Sequence, residues 1–220
     1  MNNKIIIGVE GISYSGKTTL CQNTELKNRK TVIVDESPKF AEVKIIISND
    51  LNSILKNSEI TLQIEEKRTN YVKENANGKL FVFDRTIFSF ISISYAYYNT
   101  KMINYYNEYV EKIIKGIKNG IYLVPDYLVY LKIDEKEIQR RMKKKKKNLP
   151  EYWTSNTFKT SIENLMDVIV NFYNKKDRCI SPDSMKIISN NGLSKIDNDE
   201  IIELLRRMKI WIILMIKLII

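Results

Sequence analysis

Short apolar runs alternate along this chain with longer stretches of helical pattern. The runs are KIIIGV (4–9), TVIVDE (31–36), KLFVFD (79–84), YLVYLKI (127–133) and MKIIS (185–189). Each carries apolar residues at consecutive rather than alternate positions, as a strand buried on both faces requires. The intervening pattern predicts helices from Lys17 to about Asn28, about Leu51 to Asn75, Ser89 to Asn119 with a break, Glu135 to Lys146, Ser155 to Lys175 and Asp197 to Lys209. Asp134 is placed to cap the fourth of these, with Glu135 and Glu137 complementing the dipole of its first turn. Gly120 stands where a helix C-terminus favours positive φ. Five such strands alternating with helices predict an α/β fold, a five-stranded parallel sheet with helices on both faces.

The length, 220 residues, suits one well-buried core, here assigned to residues 1–209. The final run IWIILMIKLII (210–220) is too short to span a bilayer and is interrupted by Lys217. It reads as a buried or partner-packed tail, with a membrane-surface anchor as the alternative. The formal charge of +10 admits nucleotides, nucleic acid or an acidic membrane surface as partners, and an excess of Lys, Asn and Ile from coding bias would produce it equally well. Cys21 and Cys179 lack metal-ligand spacing, so neither a disulfide framework nor a zinc site is expected. The beginning of the chain shows no signal-peptide pattern, and the cytoplasm is the expected compartment. Histidine is absent, which removes His-based triads and His-ligated metals. Any general base is therefore a carboxylate, a lysine or water.

Gly11–Thr18, within VEGISYSGKTT, matches G-x-x-x-x-G-K-[ST] and lies after a predicted strand and before a predicted helix. In such a loop the backbone N–H groups of Gly11, Ile12, Ser13, Tyr14, Ser15, Gly16, Lys17, Thr18 and Thr19 cradle phosphates. Lys17 neutralises their charge, and Thr18 places a hydroxyl on Mg²⁺. KLFVFDR supplies Asp84 as a second metal-side carboxylate and Arg85 as a cation beside the transferred group or its acceptor. A turn-forming Asp-Arg pair is the bland alternative. VDESPKF ends a strand in Asp35 and Glu36, where a parallel sheet presents side chains to its ligand crevice. Glu36 is the candidate base or acceptor ligand, or else a solvated turn acid. Arg68 and Tyr71, three apart on one helix, would present a guanidinium and an aromatic ring to an acceptor, or form a solvated face. Arg140, Arg141 and the lysine run 143–147 form a basic segment, about 140–152. It reads as a lid closing over ATP, as a solvated helix end, or as a nucleic-acid patch.

Four stretches in this order, VEGISYSGKTTL, LQIEEKRTNYV, LFVFDRTIFSFISISYA and PDYLVYLKIDEKEIQRRMKKK, resemble the thymidylate kinase group of P-loop nucleoside monophosphate kinases, and more loosely the deoxynucleoside kinases. The resemblance implies ATP and Mg²⁺ as cofactors, a lid, a homodimer, and phosphoryl transfer to a nucleotide substrate, with dTMP first. On it, Lys17, Thr18 and the loop amides bind ATP phosphates. Asp84 and Arg85 serve metal and acceptor, and Arg68 approaches the acceptor nucleotide. ISNNG (188–192) resembles an adenine-side loop. Ser13 and Tyr14 depart from the group's acidic and arginine positions, so transition-state charge would fall to Arg140, Arg141 or the lysines. DESPKF replaces the expected Arg-Glu-Pro-Gly-Gly. A nucleoside acceptor would need Glu36 as base, whereas a monophosphate would need cations. A third reading is a nucleotide-dependent P-loop NTPase that binds polyanions. A nucleic-acid partner is not expected, because no aromatics are interleaved with the lysine run.

Overall fold

The computed structural model describes residues 4–27, 31–36, 40, 50–75, 80–101, 105–145, 155–185 and 193–217. In chain order these form β1 (Ile5–Glu10), α1 (Lys17–Lys27), β2 (Thr31–Val34), α2 (Leu51–Glu74), β3 (Leu80–Asp84), α3 (Ile87–Lys101), α4 (Tyr106–Lys118), β4 (Tyr127–Tyr130), α5 (Glu135–Lys145), α6 (Asn156–Asn174), the short α7 (Pro182–Met185) and α8 (Asn198–Lys217). The sheet is parallel throughout, in the order β2-β3-β1-β4. Every residue of β1 and β3 is buried, as their unbroken apolar runs require. Ile5, Ile7 and Val9 pack against Leu20 and Cys21 of α1, while Ile6 packs with Phe81, Phe83 and Val72 of α2 on the opposite face. The largest core lies where α3, α4, α6 and α8 meet.

Four strands are formed among the described residues, one fewer than the five expected. Met185, the first residue of the expected fifth strand, ends α7, and 186–189 lie outside the described residues. The free edge of β4 is met instead by Arg178–Ile180, through a single parallel bridge between Leu128 and Cys179. The last helix does not stop at Lys209 but continues to Lys217, so much of the apolar tail is helical. Among the described residues no helix is long and apolar enough to cross a membrane.

Register fixes what meets at the carboxyl edge of the sheet. Val9 pairs with Asp84, Val34 pairs with Phe83, and the Arg85 amide donates to Val9 O at 3.1 Å. Glu10, Glu36, Asp84 and Arg85 are thereby gathered beside the loop that leads into α1. Behind them Asp126 accepts from Ile6 N (2.8 Å), Ile196 N (2.9 Å) and Lys195 Nζ (2.8 Å), tying 195–196 to the sheet.

Candidate active site

The loop between β1 and α1 has its two glycines where side chains do not fit. Gly11 has φ 146°, and a Cβ there would stand 2.7 Å from Leu131 O; Gly16 has φ 103°. Lys17 opens α1 and is 5% exposed. Its ammonium donates to Gly11 O and Ile12 O, both at 2.9 Å, and to Ser15 Oγ at 3.4 Å. Burial, aided by the nearby Arg85 guanidinium, lowers its pKa to about 7. A cation opening a helix beneath a loop bent at two glycines is an arrangement suited to phosphate.

Thr18 Oγ1 donates to Asp84 Oδ2 at 2.5 Å, so the sequence-predicted metal pair is in contact. Asp84 Oδ1 is buried with no hydrogen-bond partner, and burial pushes the carboxyl up while the Thr18 bond opposes it. An orphaned carboxylate oxygen next to a threonine hydroxyl fits a hard cation. No group of three or more histidine, cysteine or acidic side chains able to hold a metal ion by themselves occurs among the described residues; Thr18 and Asp84 would hold Mg²⁺ together with phosphate oxygens.

Arg85 sits at φ 66° in the turn after β3; its Nε pairs with a Glu36 carboxylate oxygen at 2.5 Å and its Nη1 donates to Ser89 Oγ at 3.3 Å. Lys17, Glu36 and Arg85 line one cleft of about 830 Å³. Its far wall consists of Ile54, Asn57, Ser58 and Thr61 on α2, Phe90, Ile93 and Tyr97 on α3, and Tyr105 and Tyr109 at α4. The wall hydroxyls are tied to the α2 backbone and, at Tyr109 and Thr61, to each other. Ser58 donates to Ile54 O (2.9 Å) and Thr61 to Ser58 O (2.7 Å), so Tyr109 donates the 2.8 Å bond to Thr61 Oγ1. Burial drives the Tyr109 hydroxyl well above its usual pKa, keeping it a donor.

Arg68 does not reach this cleft. It follows the α2 stripe of Ile54 and Thr61 but lies about 10 Å beyond Thr61 along the helix, beneath the strand ends. It is fully buried, stacks 4.5 Å from the Phe83 ring centroid, pairs with Glu65, and donates to the carbonyls of Arg85 (2.7 Å), Asp84 (3.3 Å) and Val34 (3.4 Å). Tyr71 is likewise outside the cleft lining and meets Phe40 edge-on at 5.7 Å. Of the basic segment, Arg141 Nη1 donates to Tyr14 O at 2.8 Å, directly above the phosphate loop, and Lys144 also lines the cleft. Arg140 turns to solvent, its guanidinium on both oxygens of Glu137. Arg140 and Arg141 together hold the Glu137 carboxyl down to about 2. Residues 146–152 of the expected lid, and the expected adenine-side loop 188–192, lie outside the described residues.

Two sets of site residues were given no site role by the sequence. Glu10, a carboxylate ending a wholly buried strand, accepts from Thr86 N (2.8 Å), Thr86 Oγ1 (2.7 Å) and Ser89 Oγ. Its signal was a charge closing an otherwise apolar run. The tyrosines of the far wall were signalled only by the four-residue spacing of Tyr105 and Tyr109, which the core of any helical face would share.

A family model described as deoxynucleoside kinase matches residues 7–201. The chain belongs to the deoxynucleoside kinase family. It is a P-loop kinase that transfers a phosphoryl group to a nucleoside or nucleotide. Solved structures share its fold. A deoxyadenosine kinase from M. mycoides, with dCMP and a flexible dCDP bound, aligns at 20% identity and TM-score 0.56 over 93% of this chain and 98% of its own. A thymidylate kinase from Candida albicans aligns at 16% identity and TM-score 0.58 over 94% and 91%. A thymidylate kinase from Ehrlichia chaffeensis aligns at 15% identity and TM-score 0.50 over 84% and 95%. No curated protein matches the sequence. These likenesses unite nucleoside and nucleotide kinases in one fold, so the acceptor has to be read from this chain's own residues.

Proposed function

We propose that this member of the deoxynucleoside kinase family transfers the γ-phosphoryl group of ATP to the 5′-hydroxyl of a deoxynucleoside, with Glu36 as general base. The observation that carries the reading is the Glu36–Arg85 pair in the cleft. A hydroxyl is a poor nucleophile until its proton is taken, whereas a monophosphate brings an ionised oxygen and asks for cations instead. Among the described residues, α2, α3 and the start of α4 contribute no lysine or arginine to the cleft, and Arg85 is already paired with Glu36. The wall is aromatic and hydroxyl-lined, which suits a neutral base and sugar. The dTMP acceptor expected from the sequence would have to bring a dianion against it.

In this reading Glu36 takes the 5′-hydroxyl proton as that oxygen bonds to the γ-phosphorus and the bond to the bridging oxygen breaks, releasing ADP. Lys17 and the loop amides hold the phosphates, and Arg141 stands over them as a further cation. Arg85 keeps Glu36 aimed and is itself at hand for the developing charge. Mg²⁺, when bound, would neutralise β- and γ-phosphate charge, held from the protein side by Thr18 and Asp84. Both cysteines are free, in keeping with the reducing cytoplasm expected for such an enzyme. Glu36→Gln tests the base. We expect turnover with deoxynucleosides to fall by at least about a hundredfold, while ADP affinity measured by calorimetry stays unchanged. Retained turnover would remove Glu36 from the role.

A further inference from the structure

We propose that Glu10 is a positioning residue for Arg85, acting through Ser89. Glu10 is 1% exposed, and its two carboxylate oxygens hold the β3–α3 turn by separate routes. Oε1 accepts both the amide and the hydroxyl of Thr86, the residue next to Arg85. Thr86 Oγ1 in turn accepts from Phe88 N at 3.2 Å, so the carboxylate also sits at the positive end of α3. This fixes the backbone that holds Arg85 at φ 66°, a left-handed conformation that a long side chain does not adopt without support.

The second route sets the direction of a proton. Ser89 Oγ donates to Glu10 Oε2, which commits its only hydrogen. Its lone pairs are then the part left to face Arg85, and Arg85 Nη1 donates to them. Glu10, an acceptor at both oxygens, thus makes Ser89 an acceptor for the guanidinium. Glu36 forms an ion pair with the same guanidinium at Nε. Arg85 is fixed between a carboxylate that faces the cleft and one that never touches it. An amide at position 10 cannot reproduce this. If its NH₂ faces Ser89, the serine proton is displaced toward Arg85, donor against donor. If it faces Thr86, two donors meet its N–H and O–H.

The proposal rests on the reading that Arg85 serves the reacting groups, and the experiment separates the two. Turnover is measured for Glu10→Gln, Ser89→Ala, Arg85→Ala and the double variant Glu10→Gln with Arg85→Ala. In parallel, solvent exchange of the Arg85 side-chain protons is followed by ¹⁵N NMR in the full chain without ligands. We expect Glu10→Gln and Ser89→Ala each to lower kcat about tenfold, the size of a lost hydrogen bond to a charged group, with KM for ATP changed less than about twofold. In the Arg85→Ala background, Glu10→Gln should cost less than about twofold, the non-additivity of groups that act as one. Equal losses in both backgrounds would overturn the proposal. Should no nucleoside or nucleotide be phosphorylated, the exchange measurement still decides. Faster exchange of the Arg85 protons in both single variants supports the relay, and unchanged exchange overturns it. Where Glu10→Gln does not fold, Ser89→Ala carries the test alone, because it leaves the Glu10–Thr86 bonds in place.

Discussion

Lys17 is the residue at which chemistry and environment conflict most. An ordinary lysine titrates near 10.5, but burial in the loop brings this one to about 7. Burial disfavours the ammonium, and a bound phosphate favours it. At pH 8 Lys17 would then be largely neutral in the free protein and charged beside a bound phosphate, so nucleotide binding is predicted to take up a proton. The sign follows. ADP affinity is greatest below about pH 7 and declines as pH rises through the interval between the free and bound pKa values. Calorimetry at pH 8 in two buffers of different ionisation enthalpy should show uptake approaching one proton, and heats independent of buffer would contradict it. The form of this loop was legible in Gly11, Gly16, Lys17 and Thr18, because their spacing dictates a glycine-bent turn running into a helix. The fate of Glu10 was not, since its partners Thr86 and Ser89 lie more than seventy residues away and only strand register brings them near.

Among the elements, α2 shows how a sequence pattern can point to the right helix and the wrong face. Arg68 and Tyr71 were expected to meet the acceptor; instead α2 presents Ile54, Ser58 and Thr61 to the cleft and buries Arg68 beneath the ends of β2 and β3. A mid-helix arginine reads as solvated unless carbonyls are known to wait for it, and those carbonyls belong to other elements. The buried Glu65–Arg68 pair gives a stability prediction. Arg68→Ala leaves Glu65 in the interior without its partner, at a cost of about 3–5 kcal/mol. Denaturant unfolding should show the loss, and the joint replacement Arg68→Met with Glu65→Leu should recover part of it. Full stability together with weakened acceptor binding would return Arg68 to the substrate site. α5 was read more closely. Its Asp134 cap is formed, with Glu137 N donating to Asp134 Oδ1 at 2.9 Å, and it carries Arg141 to the loop, yet only the three-dimensional turn of the helix separates Arg141 from the solvent-facing Arg140.

For the whole molecule, the parallel α/β plan was legible because strands covered on both faces leave unbroken apolar runs, and β1 and β3 kept them. The four-stranded sheet among the described residues and the long α8 were not, because a short apolar run such as 185–189 or 210–220 suits strand, helix or tail equally. The choice of acceptor was least legible, since it depends on a wall assembled from three helices. That choice is the central claim, and it is tested most directly by ADP release with ATP and Mg²⁺ across deoxyadenosine, deoxycytidine, deoxyguanosine, thymidine and the corresponding 5′-monophosphates. The account predicts turnover with one or more of the nucleosides and a nucleoside 5′-monophosphate as product. Turnover confined to dTMP or another monophosphate would contradict it.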